Sequence, residues 1–439
     1  MLKDIFKAYD IRGIYKKDLN EDVAYKIGRA LVEYIDKPNI VVGRDMRESS
    51  NPLFDAFAKG ITEQGGTVTD IGLSSTPMLC FAVNFLKADA GTMITASHNP
   101  KEYNGFKFTR EKAIPLTYNE GIGQIEGAVM SKEFEKPLKA GEIIKKEILH
   151  DYLNFVLSLG KKIPKLKVVI DTSNGMGGLT VPKLFENLDL KTTYINKELD
   201  GNFPNHEANP LKKEVYNQLI EEVKKQKTDF GAMFDGDSDR VGFVDEKGNI
   251  IGCDIITALI AKTYSNEKIL YDLRSSWVVK EEIEKNNNEP VISRVGHSYI
   301  KSLMKEKDIA FGGELSGHYY YKQGDFYAEN SILTLIKLAQ IIEKENKPLS
   351  EIVKPLYKYF QSGEINSEVE DKDKKMNELK ELYKDAIITE LDGVTIEYND
   401  WWFNVRASNT EPLLRLNLEA KVESLMKKKT KEVLNIIRK

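Results

Sequence analysis

The sequence predicts an α/β protein, three similar α/β units followed by a smaller α+β unit. Three observations carry this. At roughly 100–200 residues per domain, 439 residues make two to four domains. Short apolar runs alternate with helix-length amphipathic segments, and the alternation restarts twice. Near the C-terminal end the rhythm changes to closely spaced strands before a final helix.

The elements justify this in order. Ala24 to Ile35 places Ile27, Leu31 and Ile35 at helical spacing. Asn39-Ile40-Val41-Val42 is a buried strand running into Gly43-Arg44-Asp45. A helix from Pro52 to Gln64, strand Thr67 to Ile71, helix Pro77 to Lys87 and strand Gly91 to Ile94 complete the first block. Strands separated by helices of this length imply right-handed βαβ units and a mainly parallel sheet. Lys167 to Ile170 opens a second block, with helix Glu214 to Lys227 and strand Phe230 to Phe234. Lys268 to Tyr271 opens a third, ending in strand Ile309 to Gly312. The charged stretch Glu368 to Lys375 starts a helix reaching about Asp385. Strands follow at Gly393 to Tyr398, Trp401 to Val405 and Leu413 to Leu418, with a final helix from Val422.

Composition narrows the function. With 41% hydrophobic and 30% charged residues, the chain can build several cores and is not disordered. Lys and Arg number 64 against 68 Asp and Glu, a net charge of −4, which argues against a broad phosphate-binding surface for nucleic acid. A small anionic ligand needs only a local cluster of cations. Cys80 and Cys253 are too few for a disulfide framework. The stretch Met1 to Lys7 carries charges where a secretory leader would be apolar, and the apolar run Ile255 to Ala261 is too short to span a bilayer. The expectation is a soluble, cytoplasmic protein with neither nucleic acid nor membrane as partner.

Each α/β block has a strand that runs into a polar loop. These are Thr95-Ala96-Ser97-His98-Asn99-Pro100, Asp235-Gly236-Asp237-Ser238-Asp239-Arg240 and Gly313-Glu314-Leu315-Ser316-Gly317-His318. Loops at the carboxyl ends of parallel strands are where open α/β sheets bind ligands, so one composite site between domains is expected. Asp235, Asp237 and Asp239 alternate, which in an extended loop turns all three carboxylates to one side, a donor set for Mg²⁺ or Ca²⁺. An EF-hand fits poorly, because Arg240 stands where its sharp turn requires Gly. An acidic solvated turn remains a competing reading, and Arg240 can offset the acids or touch a phosphate. Ser97 alone is an ordinary turn residue. His98 is a candidate base for it, though sequence neighbours often point apart. Glu314 and Ser316 can both face a sugar, or form only a polar turn. Arg406-Ala407-Ser408-Asn409-Thr410-Glu411-Pro412 can cradle a phosphate, with Arg415 nearby, or cap a helix.

Taken together, these four loops resemble, in order and spacing, the signature loops of the α-D-phosphohexomutase superfamily. The resemblance spans nearly the whole chain, through Tyr9-Asp10-Ile11-Arg12-Gly13, Gly43-Arg44-Asp45, Tyr103-Asn104-Gly105-Phe106-Lys107 and Asp200-Gly201-Asn202-Phe203-Pro204-Asn205-His206. The Gly313 to His318 loop is similar to the phosphomannomutase/phosphoglucomutase branch, and the Arg406 to Pro412 loop is most similar to its phosphomannomutases; phosphoglucosamine mutases differ in both.

The resemblance implies three mixed-sheet α/β domains, 1–148, 149–250 and 251–362, plus a C-terminal α+β domain, 363–439, around a central cleft. It implies that Ser97 carries a phosphoryl group and that one Mg²⁺ per chain is held by Asp235, Asp237, Asp239 and phosphorylated Ser97. Ser97, Arg12, Lys107, His98 and His318 form the implied catalytic set, with Lys107 or His318 as acid and base. Tyr9, Arg240, Arg274, His297, Glu314, Ser316 and His318 would bind the substrate. Arg406, Ser408, Asn409, Thr410 and Arg415 would bind its remote phosphate. The implied reaction interconverts mannose 6-phosphate and mannose 1-phosphate, with the glucose phosphates as further substrates. A hexose 1,6-bisphosphate is the intermediate and the activator. A metal-dependent sugar phosphatase and a phosphoglucosamine mutase are the alternatives, and a monomer or homodimer is expected. Relatives often carry Lys at the Arg274 position, and Ala328-Glu329-Asn330-Ser331 departs from their usual Asp-Ser-Gly or Asp-Asp-Gly.

Overall fold

The computed structural model describes residues 2–35, 39–131, 133–134, 139–186, 188–407 and 413–439. Among them the chain forms four sheets. The first helix, Glu21–Tyr34, starts where the Asn20 side chain accepts from the Val23 amide and satisfies an otherwise orphaned donor. It packs on the helix Ser50–Glu63 at very close range: a Cβ at Gly28 would stand 2.3 Å from the Phe57 carbonyl oxygen, and one at Gly60 2.1 Å from that of Tyr25. Glycine is required at that crossing.

In the first sheet the strands lie in the order Ile11–Ile14, Tyr103–Arg110, Ala90–Ile94, Asn39–Arg44, Thr67–Leu73 and Ile143–Lys145. It is mixed, as are the second and third sheets, in agreement with the mixed-sheet domains the resemblance implies; the antiparallel pairings are what the alternation of strands and helices did not foretell. The reason is common to all three. The strand before each polar loop is followed by its own return strand instead of a helix. Ala90–Ile94 pairs antiparallel with Tyr103–Arg110, Phe230–Phe234 with Val241–Asp245, and Phe311–Gly313 with Tyr319–Gln323. On its other side each leading strand pairs in parallel, with Asn39–Arg44, Lys167–Asp171 and Lys268–Asp272 respectively. Each polar loop is therefore the closed end of a hairpin anchored in the middle of a sheet. Phe230–Phe234 and Val241–Asp245 are buried at every residue, so neither shows the alternation of a half-exposed strand.

One apolar core runs through the first three units. It joins Phe81 and Met78 of the helix Thr76–Phe85 to Tyr152, Ile170 and Phe234 of the second unit and to Ile256, Phe311 and Leu335 of the third. The last unit is an antiparallel sheet centred on Trp401–Ala407 and Leu413–Ala420, with the helix Glu423–Ile437 against it. Phe360–Gln361 and Ile365–Glu368 both pair with Leu413–Ala420, so the chain enters this sheet just ahead of Gly363. Its core around Phe403, Val405, Leu416 and Val433 is separate from that of the first three units among the described residues. The joint is polar instead: the Trp277 backbone amide donates to Glu419 Oε1 at 2.9 Å and its indole N–H to Glu397 Oε1 at 2.8 Å. No helix among the described residues is long and apolar enough to cross a membrane.

Candidate active site

The three hairpin ends meet. Ser97 is buried at φ +50°, and its Oγ donates to Asp235 Oδ2 at 2.9 Å. His98 Nδ1 lies 3.2 Å from the same Oγ, so these neighbours do converge. The Asp235 loop docks directly on the Ser97 backbone: a Cβ at Gly236 would stand 2.4 Å from the Ser97 carbonyl oxygen. It reaches the third loop through an antiparallel bridge between Arg240 and His318 and a Val241 amide to Gly317 carbonyl hydrogen bond of 3.1 Å.

Asp235, Asp237 and Asp239 are buried, and each offers an oxygen within 4.8 Å of the others. Three like charges this close are unstable without a cation. Burial, then Asp239 and Asp237, push the Asp235 carboxyl well above its usual range. Lys107 supplies part of the missing charge, its Nζ donating to Asp237 Oδ2 at 2.6 Å and Asp239 Oδ2 at 2.7 Å. Burial opposes the ammonium, but those two carboxylates outweigh it and raise Lys107 above its ordinary value. Asp237 Oδ1 and Asp239 Oδ1 are both buried with no hydrogen-bond partner among the described residues. A set of hard carboxylate oxygens with two such oxygens and a serine Oγ alongside fits a divalent metal ion.

Beside the acids opens a cleft of about 1290 Å³ lined by Tyr9, Arg12, Ser97, His98, Asn99, Lys107, Arg240, His297 and His318. Arg12 is aimed by Asp10 at 2.5 Å and Asn99 at 2.7 Å. Tyr9 meets His297 edge-on, ring centroids 5.0 Å apart. Burial, with Arg240 and Arg12, holds His98 well below the usual imidazole value; burial, with Lys301 and Lys107, does the same to His297. Both are neutral. His318 differs. Burial and Arg240 oppose its charged form, but Asp239 and Glu314 prevail and push it up to about 9. Its Nδ1 lies 2.8 Å from both Glu314 Oε2 and Ser316 Oγ, while Arg240 Nε stands 3.1 Å from Nε2. Glu314 and Ser316 are thus tied to the cleft through one imidazole.

Glu314 also faces away from the cleft, 3.7 Å from Arg274. Arg274 pairs with Asp272 at 2.9 Å and, through Glu364, meets Arg406 and Arg415. Arg12, Lys107 and Arg240 thus line the cleft, whereas Arg274 and Arg406 gather around Glu364. Ser408, Asn409 and Thr410 lie outside the described residues. Glu329, in the atypical 328–331 segment, pairs with Lys301 at 3.0 Å.

Three residues of this site are absent from the sequence-based set. Arg47 is buried, and its guanidinium donates to the carbonyls of Ser97, Asn99, Pro100 and Tyr103 at 2.7–3.1 Å while pairing with Asp45. Thr76 Oγ1 donates to Asp237 Oδ2 at 2.6 Å. Glu364 collects the arginines. Arg47 had one available signal, a charged residue just past Gly43-Arg44-Asp45; the other two had none.

Known proteins are similar to this chain along nearly its whole length. Residues 3–136, 150–248, 247–360 and 364–436 match, in that order, the phosphoglucomutase/phosphomannomutase α/β/α domains I, II and III and the C-terminal domain. A phosphomannomutase of Methanocaldococcus jannaschii is 43% identical over 443 residues, covering 99% of this chain and 98% of the relative. A phosphomannomutase of Escherichia coli is 35% identical over 452 residues, covering 99% of each. The crystal structure of a phosphoglucomutase/phosphomannomutase family protein from Burkholderia thailandensis superposes with a TM-score of 0.90 at 29% identity, covering 99% of this chain and 97% of that one.

Proposed function

The chain belongs to the phosphoglucomutase/phosphomannomutase family, and on that premise we propose that it interconverts mannose 6-phosphate and mannose 1-phosphate, and the corresponding glucose phosphates, by way of phosphorylated Ser97. It is an isomerase. The observation that carries the reading is Ser97 Oγ hydrogen-bonded at 2.9 Å to the first of three buried, clustered aspartates at the edge of a cationic cleft.

Phosphoryl transfer calls for positioning and charge neutralisation more than for elaborate covalent chemistry. Mg²⁺ held by Asp235, Asp237, Asp239 and the Ser97 phosphate would supply neutralisation at the transferred group. Arg12, Lys107 and Arg240 add cationic charge from the cleft. A hexose-phosphate hydroxyl oxygen bonds to phosphorus as the Ser97 Oγ–P bond breaks, and the hydroxyl proton leaves to a base. His318 faces the cleft with its charged form favoured by Asp239 and Glu314, which suits it to give a proton to a leaving oxygen and to take one back only once its own has gone. Lys107, pinned between two carboxylates, stays cationic. Neutral His98 and Asp235, both on Ser97 Oγ, manage the serine proton between transfers. The 1,6-bisphosphate then turns end over end, its other phosphoryl group returns to Ser97, and the isomer leaves. Added hexose 1,6-bisphosphate would serve as activator by rephosphorylating Ser97. Glu314 and Ser316 contact sugar hydroxyls that exchange places in this turn and leave the C2 configuration unread, so both epimers are substrates. Arg274, Arg406 and Arg415 receive the remote phosphate.

Ser97→Ala tests this. Turnover of mannose 1-phosphate should fall about a thousandfold or more, the loss typical of removing a nucleophile, while hexose-phosphate binding persists. Isomer formation at the wild-type rate would exclude the covalent route, and free phosphate released without isomer would make the protein a phosphatase.

A further inference from the structure

Glu364 follows the Ser362-Gly363 turn, which is fixed to the last sheet by the Ser362 amide on the Leu418 carbonyl at 2.8 Å and the Leu418 amide on Ser362 Oγ at 3.0 Å. Glu364 Oε2 accepts from Arg406 Nη2 at 3.0 Å and lies 3.5 Å from Arg274 Nη1; Oε1 lies 3.4 Å from Arg415 Nη1. Three guanidinium groups from two sheets around one pair of oxygens are the reception a phosphate dianion would meet. Arg274 and Arg406 are themselves buried, so their charges are poorly screened; Arg274 keeps Asp272, whereas Arg406 has Glu364.

We propose that Glu364 is an internal stand-in for the remote phosphate of the hexose phosphate, holding Arg274, Arg406 and Arg415 between turnovers and trading places with that phosphate during each one. This rests on the role proposed above for those arginines. The reaction gives the exchange a purpose. The bisphosphate must let go of one phosphate site to turn over, and withdrawing a dianion from this cluster, above all from buried Arg406, would oppose that release. A carboxylate on the same turn takes the cluster over as the phosphate departs. The cost is affinity, because a ligand competing with an internal group binds more weakly by the fraction of time that group is displaced.

The experiment uses full-length Glu364→Gln, which keeps the shape and removes the charge. Titration calorimetry with inorganic phosphate and with mannose 1-phosphate, beside steady-state kinetics, should show Kd and KM lower by about fivefold and kcat lower as release slows. Weaker or unchanged phosphate binding, or a raised KM, would show that Glu364 only props the arginines in place and would overturn the proposal. Should the glutamine variant not fold, Glu364→Asp draws the carboxylate back from the arginines, with the same expected direction and the same overturning result. A wild-type protein without mutase activity would dismiss the reading of function, while the inorganic phosphate titrations would still decide whether Glu364 competes.

Discussion

Ser97 occupies the left-handed backbone region at φ +50°, a conformation that costs a non-glycine residue about 1 kcal/mol. Its neighbours hold it there: the Ser97 amide donates to Thr95 Oγ1 at 2.9 Å and its carbonyl accepts from Arg47 at 2.9 Å. This turn is what brings the side chains of Ser97 and His98 together. A second imidazole shows how a single contact sets pH dependence. His206 Nε2 lies 2.9 Å from the buried Asp171, which also takes the Asn196 amide. Burial opposes its imidazolium, yet Asp171 prevails and raises His206 above 6.5. The charged form is therefore favoured on folding. Its contribution to stability is complete below pH 6.5 and is lost as pH rises through the raised value. Thermal unfolding followed from acid to alkaline pH should show this loss, and His206→Asn should flatten that part of the profile. An identical pH profile in the variant would remove His206 from the account.

Among elements, the hairpin ends carry the chemistry, and their loops are held from behind. Arg47 gathers four carbonyls of the Ser97 loop on one buried guanidinium. Arg47→Ala would strand Asp45 as an uncompensated buried charge, at about 3–5 kcal/mol. It would also loosen the loop, so kcat should fall further than KM rises. Arg47→Lys keeps the charge but cannot reach four carbonyls, and should recover stability more than kcat. Denaturant unfolding and steady-state kinetics on both variants would check this; a stability loss under about 1 kcal/mol in the alanine variant would contradict it. The polar loops themselves were readable in the sequence, since Asp235 to Arg240 concentrates charge where an apolar strand ends. So were the leading strands and helices such as Glu21–Tyr34, Ser50–Glu63 and Glu423–Ile437; helices such as Cys253–Ala261 and Ser331–Glu345 were not, because they are buried on nearly every side and show little amphipathic period. The return strands were not, because Val241–Asp245 is as apolar as the strand it pairs with and shows no alternation. Nor were the clamps: Thr76 and Asp237 stand 161 residues apart, and only the folded chain makes them partners.

For the whole molecule, the division of the core matters most. Three units share one apolar cluster, and the last has its own, joined through Trp277, Glu397, Glu419 and the Glu364 arginines. Polar joints of this kind uncouple domains more readily than shared cores do. Calorimetry should therefore resolve two transitions, the last unit melting first. Hexose phosphate, on the proposal that it binds across Arg274 and Arg406, should raise the lower transition more than the upper one. A single transition unaffected by the ligand would show that the polar joint couples the units fully. The aspartate loop sits where the first three units meet. Thr76 of the first unit bonds to Asp237, and Ser331 of the third donates to the Ser238 carbonyl at 2.6 Å. The second unit by itself owns the carboxylates but not the struts that crowd them together. A pocket able to hold a hard cation is thus an emergent property of the finished assembly, and metal uptake during refolding should begin only when the last of the three partners has arrived.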